Sequence, residues 1–143
     1  MRVLQSPIPK PHVSRPTLIG VALAFIAAPL AAAPTGGDVL AQAASGPLHC
    51  EIQKSQSGDM VRLVGIATGT QAIAGTSRFV MIKSGTSGSS NMAQSQHFVL
   101  KAQQQAVVGQ ATTNLDPGGH IAIDFGVRTD GGLVCNVRAS LER

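Results

Sequence analysis

Side-chain catalysis and metal binding both need several polar groups to converge on one point, and the titratable residues of this chain are spaced against it. Beyond residue 43 there are three histidines, His49, His97 and His120. No two of them stand at the H-x-H or H-E-x-x-H spacing that places two ligands on one face, so each reads as a surface or structural histidine. His49 beside Cys50 could hold a soft metal as a pair, an option that disappears if Cys50 is cross-linked. The six acids of the same region are scattered, with no pair spaced so that one is poised as acid and the other as base. Ser87, in Gly85-Thr86-Ser87-Gly88-Ser89, superficially resembles a nucleophile elbow but lacks the closing glycine and the strand-to-helix setting. No phosphate-cradling loop is present, and neither Asn91 nor Asn114 begins a glycosylation sequon. The expectation is a protein that is not an enzyme and carries no cofactor, no catalytic residue and no metal site.

The elements around these residues follow from composition and spacing. The chain has 143 residues, 43% hydrophobic but only 3% aromatic, with 13% charged residues, 16 Gly and 8 Pro. That mixture excludes a coiled coil, a charged helical bundle and a charged disordered chain, and leaves room for one domain. Arg2, Lys10 and Arg15 precede an apolar run from Thr17 to Ala33, with no acid before it. This is the layout of an export signal, interrupted by Pro29 and barely long enough to span a membrane. Two small-residue exits are available, Ala31-Ala32-Ala33, which Pro34 would follow, and Ala41-Gln42-Ala43. The second is the cleaner, so the division expected is a signal peptide over 1–43 and one domain over 44–143, exported with no membrane attachment after cleavage. Removing Arg2, Lys10, Arg15 and Asp38 turns a formal charge of +4 into eight basic against six acidic residues. Neither that balance nor any run of cations among stacking aromatics supports nucleic-acid binding.

After residue 43, short runs alternate between apolar and polar residues, separated by Gly, Ser, Asp and Pro. About seven such runs predict antiparallel strands in an all-β sandwich or barrel. The clearest has Ile121, Ile123, Phe125 and Val127 on one face and Ala122, Asp124, Gly126 and Arg128 on the other. Others run from Leu48 to Ile52, Val61 to Ala67, Ser77 to Lys83, His97 to Lys101, Val107 to Thr113 and Leu133 to Ala139, with Gly85 to Asn91 as a loop. Cys50 and Cys135 fall on inward positions of the first and last runs. In an oxidising compartment the natural reading is a Cys50–Cys135 disulfide stapling a domain with a thin core.

Four stretches carry a resemblance to a known family: Cys50-Glu51-Ile52; the strand Ser77-Arg78-Phe79-Val80-Met81-Ile82-Lys83; the loop Ser84 to Asn91 leading through Gln94 to Phe98; and Gly132-Leu133-Val134-Cys135. Over about residues 48 to 137 the chain resembles the CsgH-type curli assembly proteins, the Lys83 to Phe98 run being the most specific part. The resemblance implies a periplasmic, immunoglobulin-like β-sandwich related in fold to the CsgC chaperone, one that binds a curli amyloid subunit and keeps it from polymerising before it crosses the outer membrane. The C-x-C pair of CsgC is missing here, so no redox role carries over.

Such an inhibitor needs only to occupy strands that would otherwise template one another. If Phe79 and Met81 face inward, Arg78, Val80 and Ile82 face outward, two apolar groups beside a cation. With Lys83 and Arg62 they form the candidate client-binding set of a protein expected to act as a monomer, and Arg128 and Arg138 are further exposed cations. Loops partly covering both faces of this strand, or a register one residue out, are the alternatives at this point, and an exported structural or adhesive sandwich module is the alternative function.

Overall fold

The structure, a computed structural model, describes residues 36–143. Eight strands, all antiparallel, make two sheets: β1 (Asp38–Ser45), β2 (Leu48–Ser57), β3 (Met60–Gly69), β4 (Ile73–Ser84), β5 (Ser90–Leu100), β6 (Gln104–Asn114), β7 (His120–Thr129) and β8 (Val134–Glu142). The first sheet runs β1-β2-β3-β6 and the second β5-β4-β7-β8. The all-β sandwich expected from the period-two runs is therefore present, and each of the seven runs has its strand.

Alternation builds the core. Leu48, Cys50 and Ile52 on β2, Val61 and Leu63 on β3, Phe79 and Met81 on β4, and Ile121, Ile123, Phe125 and Val127 on β7 are buried between the sheets. Two glycines facing two phenylalanines fix the spacing at the centre. Gly65 and Gly109 pair across β3 and β6, while Phe79 and Phe125 pair across β4 and β7, their ring centroids 6.0 Å apart. A Cβ on Gly109 would lie 2.6 Å from that of Phe79, and one on Gly65 would lie 2.8 Å from the Phe125 ring. The missing side chains of one sheet are the sockets for the rings of the other. Beside them Val108 is skipped in the register between β3 and β6, and the buried Ser77 hydroxyl donates to its carbonyl, tying the two sheets together.

Two expectations change. Among the described residues the strand count is eight, because Asp38–Ser45 pairs along β2 from Asp38↔Lys54 to Ser45↔Leu48. The expected division at residue 43/44 falls inside this strand, whose Leu40, Ala41 and Ala43 pack against the core. Small residues that suit a peptidase exit also suit an edge strand lying flat on a neighbour. The rest of the expected signal, residues 1–35, lies outside the described residues. The loop expected over 85–91 is also shorter, since β5 begins at Ser90 and pairs without interruption to Leu100. Its Ser and Gln residues carry no alternation of hydropathy from which a strand could be read.

Candidate functional site

The disulfide is formed as expected. Cys50 on β2 and Cys135 on β8 are joined across the two sheets, with Cα atoms 6.3 Å apart. No free cysteine remains, and among the described residues no group of three or more His, Cys, Asp or Glu lies close enough to hold a metal ion. The three histidines are far apart in use, each near its own acid: His49 with Glu51 (3.7 Å), His97 with Asp130 (3.9 Å) and His120 with Glu142 (3.4 Å).

The outward face of the β5-β4-β7-β8 sheet carries most of the candidate residues. Phe79 and Met81 point inward, so Arg78, Val80 and Ile82 point out, Arg78 exposed, Val80 half-buried and Ile82 49% exposed. Register places them in rows across the sheet: Ile82 with Ala122 and Ser140, Val80 with Asp124 and Arg138, Arg78 with Gly126 and Asn136, Thr76 with Arg128 and Val134. A shallow groove of about 460 Å3 follows the first two rows, lined by Val80, Ile82, Ala122, Asp124, Arg138 and Ser140. A second hollow, of about 360 Å3, opens beside it where Gly126 contributes no side chain, bordered by Arg78, Arg128 and Asn136. Arg138 Nε donates to Asp124 Oδ2 at 2.8 Å, so this acid, which borders both the groove and the hollow, is already paired with a cation. Both partners are exposed and the pair adds little stability. Besides that paired Asp124, the hollow is bordered by Arg78 and Arg128 and by neutral residues such as Gly126, Asn136, Thr76 and Val134, so cations outnumber acids around it.

The other two candidates lie elsewhere. Lys83 shares the inward side of β4 with Phe79 and Met81 and is 5% exposed, so it is not part of the outward surface. Its ammonium donates to Ser87 Oγ (3.1 Å) and Asn114 Oδ1 (2.6 Å), with Asp116 Oδ2 at 3.9 Å. Asn114 Nδ2 in turn donates to Asp116 Oδ1 at 2.9 Å. The Asp116 carboxyl is held below the usual carboxylate range, chiefly by the Ser87 hydroxyl; burial opposes this, and the Lys83 charge and Asn114 add to the lowering. The Lys83–Ser87 part of the family-like run thus pins the β4–β5 loop to the β6–β7 connection. Alternation alone, counted from Phe79, places Lys83 inside. Arg62 is on the first sheet, exposed on β3, where it donates to Gln110 Oε1 of β6 at 3.1 Å. Val134 and Gly126 were not singled out as part of a surface in the sequence, because only cross-strand register brings them to Arg78.

Fold and site together define a disulfide-bridged two-sheet β-sandwich that presents an outward groove part apolar and part cationic. The family model described as CsgH protein matches residues 49–137, well over half of the chain, and the chain belongs to the CsgH family. Two solved structures share the fold. R. palustris CsgH, a solution structure, superposes with a TM-score of 0.52 at 24% identity, covering 66% of this chain and 91% of that one. The E. coli curli protein CsgC, in a selenocysteine form, superposes with a TM-score of 0.57 at 22% identity, covering 66% and 97%. No curated protein matches this sequence.

Proposed function

We propose that this protein is a periplasmic, chaperone-like inhibitor of curli assembly, which binds a curli-type amyloid subunit and delays its polymerisation during export. Membership of the CsgH family over residues 49–137 carries the reading, and the likeness in fold to a curli protein supports it. An inhibitor of this kind needs no covalent step, since brief occupation of an aggregation-prone strand removes it from the growing template. The outward groove offers the means. Val80, Ile82 and Ala122 supply apolar contact, and Arg78 and Arg128 draw an acidic client over a screened distance of about 8 Å at physiological salt. A Cys50–Cys135 bridge suits an oxidising compartment, and the basic-then-apolar N-terminal sequence suits an exported chain.

The test is the lag time of a freshly desalted curli subunit, followed by thioflavin fluorescence, with the mature protein added well below equimolar. A prolonged lag is expected, and an unchanged one would refute the proposal. Arg78→Glu should weaken the effect by about tenfold at low ionic strength and less at high, as for a charge that steers association. Val80→Asp should weaken it at both. Fractionation checks the setting: release with the periplasmic contents is expected, whereas retention on the cell surface would favour an adhesive module.

A further inference from the structure

The two long sides of the sandwich differ. On one side β1 and β8 are the edges, and both are protected: β1 has a shifted register between Val39 and Ala41 and begins with Asp38, β8 carries Arg138 and Glu142, and Cys135 of β8 is bonded to β1's neighbour β2. On the other side the edges are β5 and β6, of which β6 is shifted in register at Val108 and β5 is not. Neither contains a Lys, Arg, Asp, Glu or Pro, and β5 runs eleven residues against β4 in unbroken register. Its Val99 is 71% exposed. A long, regular, uncharged edge is the kind that folded proteins ordinarily blunt, because its open N–H and C=O groups accept another strand.

The two edges meet at a cleft of about 520 Å3 lined by Ala93, Gln94, Ser95, Gln96, Gly109 and Gln110. Across it the Gln110 backbone N–H donates to the Gln94 side-chain oxygen at 3.1 Å, so a flexible amide stands where a strand's carbonyl would. Arg62 holds the Gln110 side chain from the β3 side. We infer that this β5–β6 seam accepts an extended segment of the client by main-chain pairing, with Gln94 as the side chain that yields. The inference rests on the functional reading above and adds the edge used and the chemistry admitted. Asn91, Gln94 and Gln96 on β5 with Gln105 and Gln110 on β6 present amides, which pair with amides of an incoming strand as they do in stacked cross-β ladders. A charged segment would lose hydration against these two edges without finding a counter-charge on either. The occupant is therefore an uncharged, Gln/Asn/Ser-bearing extended segment.

The test uses the isotope-labelled mature protein and, as probe, a synthetic ten-residue peptide of Gln, Asn, Ser and Val. Amide shifts are expected at Gln94 to His97 and at Gly109 and Gln110, and backbone N-methylation of the peptide on alternate residues should abolish them. The double variant Ser95→Lys, Gln96→Lys, at two exposed positions, should lose at least tenfold in peptide affinity with its melting temperature unchanged. Shifts confined to Arg78, Val80 and Ile82, no shifts at all, or full binding of the N-methylated peptide would overturn the inference. Concentration-dependent shifts at the same edge without peptide would assign it to a second copy and overturn it equally. If wild type and the double variant prolong the amyloid lag alike, only the seam fails. If wild type does not prolong it, the functional reading fails, whatever the peptide does.

Discussion

A lysine that is almost fully buried must find partners for its ammonium or give up its charge. Lys83 finds three, the Ser87 hydroxyl and the Asp116 carboxylate on connections and the Asn114 carbonyl oxygen at the very end of β6, none of them in a sheet centre. Its work is structural, so Lys83→Met, which keeps the apolar stem, should lower stability by about 1.5–3 kcal/mol, the range for charge-assisted hydrogen bonds. Its effect on an amyloid lag measured well below the melting temperature should be nil. Asp116 gives the same network a pH dependence with a definite sign. Its folded pKa is depressed, so its contribution is fully present above the ordinary carboxylate value of about 4 and is lost as pH falls through the lower folded value. Melting curves from pH 7 down to pH 2 should therefore show a steeper loss of stability below pH 4 in the wild type than in Asp116→Asn. Equal slopes would remove Asp116 from the account.

At the scale of elements, the sheet-to-sheet distance is set where Gly65 and Gly109 receive Phe125 and Phe79. Gly109→Val forces atoms into the Phe79 side chain at a point where a rigid strand cannot retreat, and should cost about 1–3 kcal/mol or more by overpacking. Chemical denaturation of the purified variant measures it, and an unchanged midpoint would show that the sheets can part. The strands themselves were readable wherever one face is apolar and the other polar, as at Ile121–Arg128, because burial on one side leaves that signature in the residue order. Two stretches were not readable, for opposite reasons. In β1, small residues on both faces blur the period, and Ala41-Gln42-Ala43 equally satisfies a peptidase. In β5 the inward-side positions Gln94 and Gln96, between Met92 and Phe98, stay exposed at the open edge of the sandwich, so polarity persists where alternation would have marked a strand. β1 also makes a prediction about processing. Seven register pairs to β2 and apolar contact from Leu40, Ala41 and Ala43 would be lost in large part by a cut after Ala43. The exported protein should begin before Asp38, and an intact mass corresponding to a start at residue 44 would show that the sandwich functions without its first strand.

For the whole molecule, the candidate surface was half legible: Arg78, Val80 and Ile82 share a face because they share a strand, a relation written in the chain. Their company, Arg128, Gly126 and Val134, depends on which strands become neighbours, and that is decided by long-range pairing with no local trace. The cysteines were legible because burial and compartment constrain them independently of topology. Their bridge closes a loop whose ends are 85 positions apart, for which chain entropy alone gives about 4–5 kcal/mol. Set against the roughly 5–15 kcal/mol of a typical domain, and with a core that contains no Trp or Tyr, this is a large share. The bridge also joins the two sheets on the β1–β8 side only, so its loss should loosen that side while the β5–β6 side stays as it is. The protein isolated without reductant should be two hydrogens lighter than its reduced form. Reductant should lower its melting temperature by about 15 °C or more, given about 4–8 °C per kcal/mol for a domain of this size. Below that lower melting temperature, hydrogen exchange should accelerate in β1, β2 and β8 and not in β4 and β5. A melting temperature indifferent to reductant would mean that interdigitation at Phe79 and Phe125 already holds the sheets together without the covalent link.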